Sequence, residues 1–198
     1  MLPQPTIRVA LLTLLLFAPA GCGSAAPSPA PDPAALCGGA DEQRRAGFDA
    51  DLEALLPTTF EGLAPTSLGS GRYCSRKTLG SLLDAGVTEL HFAGATWPDE
   101  GDQTGIALVV YRAPGLTVDA VADSFASGAG AARGVNQVHA QAIEIGGTQG
   151  VLITAMAGDR PQIVVIRPQA MPETVAVVIG SGTTKARVLA ASEAFSRP

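Results

Sequence analysis

The apolar positions of this chain change period several times, and each change marks an element. Phe48, Leu52, Leu55 and Leu56 stand at i, i+4, i+7 and i+8, which predicts an amphipathic helix over 41–56, ended by Pro57. Leu79, Leu82 and Leu83 predict a second short helix, stopped near Gly86. Segments 90–95 and 105–112 read as strands joined by the acidic turn Pro98-Asp99-Glu100-Gly101-Asp102. Val118, Val121, Ala122 and Phe125 then form a helical stripe over 117–127 that should bury Val121 and Phe125.

The second half is richer in strands. Segments 138–145, 151–157, 162–167 and 174–179 are β-branched runs, punctuated by Gly146-Gly147, by Gly158-Asp159-Arg160-Pro161 and by Pro168 and Pro172. Connections this short suit antiparallel neighbours. A last helix over 183–195 puts Val188, Ala191 and Phe195 on one face. The expected fold is α+β: one domain, mainly an antiparallel sheet, with helices packed on it. Strands followed by a helix occur twice, which suggests a weakly duplicated ββα plan.

The N-terminal segment breaks this pattern. Arg8 precedes an apolar run over 9–18, and Pro19-Ala20-Gly21-Cys22 follows. A cationic start, a short apolar middle and small residues before a cut are the parts of an export signal. The run is shorter than the roughly 20 apolar residues a membrane-spanning helix needs. Ala20-Gly21-Cys22 resembles the lipobox of bacterial lipoproteins, which implies a lipid-bearing thioether on Cys22 after removal of residues 1–21. Pro19 departs from that pattern, where Leu is usual, and Ala18-Pro19-Ala20 also fits ordinary secretion with a cut before Gly21. Residues 22–36 are dominated by Ala, Pro and Ser and have no apolar face to bury. They read as a tether that would hold a domain over 37–198 roughly 35 Å from the membrane, at about 3.1 Å per residue.

Cysteine usage bears on the choice between the two routes. The cysteines are Cys22, Cys37 and Cys74, an odd number for an exported chain. Acylation of Cys22 leaves Cys37 and Cys74 as one pair for an oxidising compartment. That bridge would staple the N-terminal segment to the loop Gly69-Ser70-Gly71-Arg72-Tyr73. A C-x-x-C spacing is absent and both histidines are distant in sequence, which favours a structural disulfide over a redox or metal role.

Charge narrows the partners. The 198-residue chain carries a formal net charge of −5, and loss of residues 1–21 removes one arginine and no acid, giving −6. A weakly acidic surface disfavours nucleic acid and anionic headgroups.

Candidate chemistry is sparse. His91 and His139 each lie in a strand-like run and share no ligand spacing, and no G-x-S-x-G elbow is present. Gly180-Ser181-Gly182-Thr183-Thr184-Lys185 sits between a strand and a helix, where backbone N–H groups can cradle phosphate. Thr184 occupies the position of the second glycine of such a loop and Ala186 follows Lys185, so a tight turn capped by Ser181 or Thr183 explains it better. Asp99-Glu100-Gly101-Asp102 lacks the alternating ligands of a calcium loop and reads as a solvated hairpin tip. Trp97 either packs against the sheet edge or stands exposed as a contact residue, the kind of side chain enriched at binding hot spots.

Export signal, cysteine, Pro/Ala tether and compact domain together resemble actinobacterial surface lipoproteins. In the body, Leu55-Leu56-Pro57 before Phe60-Glu61-Gly62-Leu63, the run Ile106-Ala107-Leu108-Val109-Val110-Tyr111-Arg112, and Ile145-Gly146-Gly147-Thr148 are similar to small secreted α+β modules without an assigned activity. This resemblance implies an extracytoplasmic protein anchored at Cys22 to the outer face of the cell membrane, with no cofactor and no catalytic residue. The expected function is a non-enzymatic binding or interaction module whose partner is a protein or an apolar ligand and not nucleic acid. The alternative is a carrier of an apolar small molecule or lipid in an enclosed cavity. A carrier requires an apolar pocket of several hundred Å³; an interaction module requires a filled core and an exposed apolar patch.

Overall fold

The computed structural model describes residues 32, 34–35, 37–38, 42–99 and 104–195. Residues 1–21, expected to be an export signal, Cys22 and most of the expected tether lie outside them. The described chain is built on one seven-stranded antiparallel sheet, so the α+β expectation holds. Strands β1 (Ser67–Tyr73), β2 (Leu90–Pro98) and β3 (Gly105–Arg112) form a meander. The chain then crosses as helix α3 (Val118–Ala131) and re-enters the sheet at its far edge as β4 (Val135–Ile145). From there β5 (Thr148–Ala157), β6 (Arg160–Pro168) and β7 (Thr174–Ser181) meander back until β7 pairs with β3. The spatial order is β1-β2-β3-β7-β6-β5-β4. Three short helices complete it: α1 (Ala50–Glu53), α2 (Arg76–Leu79), continued by a 3-10 turn (Gly80–Leu83), and α4 (Lys185–Ala194).

Turn chemistry sets the register of the second meander. Ile145 pairs with Thr148 across Gly146-Gly147, both at positive φ, a two-residue loop whose twist matches the strands. At the outer edge β4 carries an irregularity between Asn136 and His139, with Gln137 at φ 53, a bulge that disrupts pairing with another strand.

Period-two alternation divides the strands between two cores. Ala93, Ala95 and Trp97 of β2, Leu108 and Val110 of β3, Val165 of β6 and Val178 of β7 face α1 and α4, against Leu52, Val188, Ala191 and Phe195. On the opposite face, Ile153, Ile166, Val175 and Val177 meet Val121 and Ala122 of α3 and Leu79 and Leu82 of α2 and its 3-10 turn. Val121 is buried and Phe125 is half-buried in the same cluster, which supports the phase expected for α3.

Several boundaries differ from the sequence reading. The helix expected over 41–56 shrinks to the four residues of α1: Gly47 sits at φ 76 and Asp49 caps the helix only at Ala50. Before it, Arg45 forms an antiparallel bridge with Ser70. The segment read as a loop over 69–73 is most of β1. Its small residues are required there, because a Cβ at Gly69 would lie 2.9 Å from the carbonyl carbon of Arg45. The repeated unit is also not ββα. Three strands precede α3 and four precede α4, and the two helices cover opposite faces.

Cys37 and Cys74 are joined by a disulfide, with Cα atoms 6.3 Å apart. It ties the entry of the domain to the end of β1 and, on the chain-entropy estimate, stabilises the fold by about 3 to 4 kcal/mol. A second lock is Asp49, which is 4% exposed. Its Oδ1 accepts the Leu52 N–H, and its Oδ2 accepts from Arg112 and faces His91 Nδ1, each at 3.0 Å. One carboxylate thus fastens α1 to β2 and β3. Asp49→Ala removes a helix cap and the acceptor shared by the half-buried Arg112 and His91, so urea denaturation should show a loss of about 2 kcal/mol or more. A loss below about 1 kcal/mol would mean that α1 is held by its apolar contacts alone.

Candidate functional site

The two faces of the sheet are unequally covered. Leu108, Val110, Val165 and Val178, toward α1 and α4, are fully buried. Their neighbours on the other face, Val109, Tyr111, Val164 and Ile179, are only half-buried. Over that second face α3 lies across β4, β5 and β6 and reaches the 3-10 turn. Alongside it a cavity of about 470 Å³ opens between the helix and the sheet. Its helical wall comes from Val121, Ser124, Phe125, Gly128 and Ala129. Its floor comes from Tyr111, Ile153, Ala155 and Val164, and Tyr73, Leu82 and Leu90 close the end nearest α2.

Local sequence explains the space. Gly128 and Ala129 carry little or no side chain where α3 passes the sheet, and Ala155 is small on the strand below. Thr117 caps α3 by accepting the Ala120 N–H, which fixes where the helix starts and hence which of its faces looks down.

Polar groups on this wall are few. Tyr111 has no hydrogen-bond partner among the described residues, and burial, with a smaller effect of Tyr73, raises its pKa above the ordinary phenol value. Tyr73 stacks on Phe92 at 4.3 Å between ring centres, and burial likewise raises its pKa, opposed by Arg44 and assisted by Glu42. Gln162 is tied to Ser181 through Nε2 at 2.9 Å.

Glu42 and Arg44 border a smaller recess of about 180 Å³ that shares Tyr73 and Tyr111 with the large cavity. Oε1 of Glu42 accepts from Thr78 Oγ1, from the Ser75 N–H and from the Cys74 N–H. These bonds, that from Thr78 first, lower its pKa from 4.5 to about 2. Because the folded value lies below the ordinary one, the contribution of Glu42 is complete above about pH 4.5 and is lost as pH falls toward 2. Thermal melts between pH 5 and 2 should therefore show a shallower acid dependence for Glu42→Gln than for the native chain; identical slopes would contradict this.

The other candidates of the sequence fall elsewhere. Trp97 is 3% exposed, stacks on Phe195 at 5.2 Å and donates Nε1–H to the Leu63 carbonyl, so it is a core residue and not an exposed contact. Asp99 binds Arg187 through both carboxylate oxygens, while Arg187 also holds Glu61; Glu100, Gly101 and Asp102 lie outside the described residues. The bonds to Glu61, then those to Asp99, raise the Arg187 pKa further. In the 180–185 turn the helix cap is Thr184, which accepts the Arg187 N–H, and not Ser181 or Thr183. Gly180 lets α4 approach: a Cβ there would lie 2.2 Å from Val188 Cγ2. Lys185 is exposed at the start of the helix.

His91 and His139 are not brought together. His139 lies on edge strand β4, whereas His91 on β2 has Nδ1 against Asp49 and Nε2 2.9 Å from Glu89, which also pairs with Arg72. Both ring nitrogens already face carboxylates, so neither is placed to take a proton from a hydroxyl or thiol. Arg167, 3% exposed, bonds Ser192 Oγ and the Pro168 carbonyl, and burial lowers its pKa. Its charge lies beside the last turn of α4, where the helix dipole favours a cation.

Residue patterns gave no hint of the large cavity, since its lining is spread over six strands and helices. No known family matches the chain, and no curated protein matches it.

Proposed function

We propose that this domain is a non-enzymatic carrier or receptor for an apolar small molecule or lipid, held outside the cell membrane by a lipid on Cys22. The carrying observation is the cavity of about 470 Å³ beside α3, with an apolar lining and two tyrosines, Tyr73 and Tyr111, whose hydroxyls have no partner among the described residues. Its size is that of small-molecule sites, about 300 to 1,000 Å³, and such sites join apolar walls to a few oriented polar groups. The reading as a docking module for a protein has less support: among the described residues the exposed large hydrophobics are Leu63 and Leu68. Scattered apolar residues of this kind are ordinary surface. A tether of Ala, Pro and Ser suits a receptor that must reach ligand away from the bilayer.

Native mass spectrometry of the purified chain should show a mass increment that disappears on organic extraction. Gly128→Phe gives the matching control, because a Cβ at Gly128 meets nothing within 4 Å and the ring has the cavity to enter. Replacing a helical glycine should leave stability unchanged or raise it by up to about 0.5 kcal/mol. Loss of the increment in a stable Gly128→Phe variant supports the carrier reading; an increment that survives it contradicts this site.

A further inference from the structure

The cavity has one charged border. Arg44 lies at the recess that shares Tyr73 and Tyr111 with the main space. Its position is set by two glycines. At Gly69 a Cβ would stand 3.1 Å from Arg44 Cγ, and at Gly94 a Cβ would stand 3.2 Å from a terminal guanidinium nitrogen. Gly94 pairs with Val109, whose side chain shares that face with Tyr111, so the guanidinium rests on the same face of the sheet as the cavity. One guanidinium nitrogen bonds Ser67 Oγ, and among the described residues Arg44 has no carboxylate partner. Glu42, the nearby acid, spends Oε1 on Thr78, Ser75 and Cys74 and not on Arg44.

An apolar chamber, two tyrosines at its end and an arginine without a direct carboxylate partner among the described residues form a gradient along one surface. We infer that the ligand is an amphiphile with an anionic head, of the long-chain carboxylate class, its chain under α3 and its head at Arg44. This rests on the carrier reading and adds the chemistry of the head. Arginine suits it, because its planar fork meets a carboxylate through two parallel N–H bonds. Tyr111 lines both the cavity and the recess, and its hydroxyl, without a hydrogen-bond partner among the described residues, can donate to the same group. The adjacent negative charge of Glu42 limits the head to low charge density.

The test compares dodecanoate with methyl dodecanoate, the same chain without the charge, by titration calorimetry below micellar concentrations on the native chain, Arg44→Ala and Arg44→Lys. The native chain should bind the acid about tenfold more tightly than the ester. Arg44→Ala should bring the acid down to the ester, leaving the ester unchanged, and Arg44→Lys should keep part of the preference. Equal binding of acid and ester by the native chain overturns the inference and leaves the carrier reading standing. A preference that persists in Arg44→Ala also overturns it. Failure of both compounds to bind any of the three proteins overturns the carrier reading together with the inference.

Discussion

A seven-stranded sheet that is apolar on both faces has to be covered on both, and the shortage of cover on one of them organises this molecule. Seven strands about 4.8 Å apart make a surface nearly 30 Å across. The 14 residues of α3 make a rod about 21 Å long and about 10 Å thick. One such helix, with α2 and its 3-10 turn at one end, cannot seal that face. On the other face α1, α4 and the Phe60, Trp97 and Phe195 rings succeed, and the valines beneath them are fully buried. The half-buried Val109, Tyr111, Val164 and Ile179 are what the deficit leaves. Leaving apolar surface wet forfeits about 25 cal/mol per Å², so a ligand that covers it gains what the fold does not.

The same asymmetry separates structural charge from available charge. Asp49, Glu61 and Asp99 are engaged by arginine and fasten α1 and α4 to the sheet, while Glu89 joins Arg72 of β1 to His91 of β2. Arg44 differs, since its segment is pressed against β1 and β2 by glycine contacts while its one guanidinium hydrogen bond among the described residues goes to Ser67. It therefore stands at the border of the uncovered face, beside Glu42 but without a direct carboxylate bond among the described residues.

Much of this architecture is legible in the residues. Alternation in the 105–112 and 174–179 runs and the Gly146-Gly147 turn locate strands and a hairpin, and the Val121 and Phe125 stripe sets the phase of α3. Strand β1 escaped because glycine and serine look like loop locally; only the approach of the Arg45 backbone makes them strand residues. The 41–56 helix was overextended because Phe48 fits the helical stripe but is buried from the turn before Asp49. Trp97 had two readings, and what decides between them is stacking on Phe195, 98 residues away. The cavity was least visible of all. Its walls depend on where a helix lies relative to a sheet, and no local pattern records that.

We propose that the face beneath α3 takes up apolar ligand and the opposite face does not. Methyl NMR of the chain during titration with a long-chain alkyl compound reads both faces at once. Saturable shifts are expected at Val121, Ile153 and Val164, with Val165, Val178 and Val188 unmoved. Shifts of equal size on both faces, or none at Ile153 and Val164, would contradict the proposal.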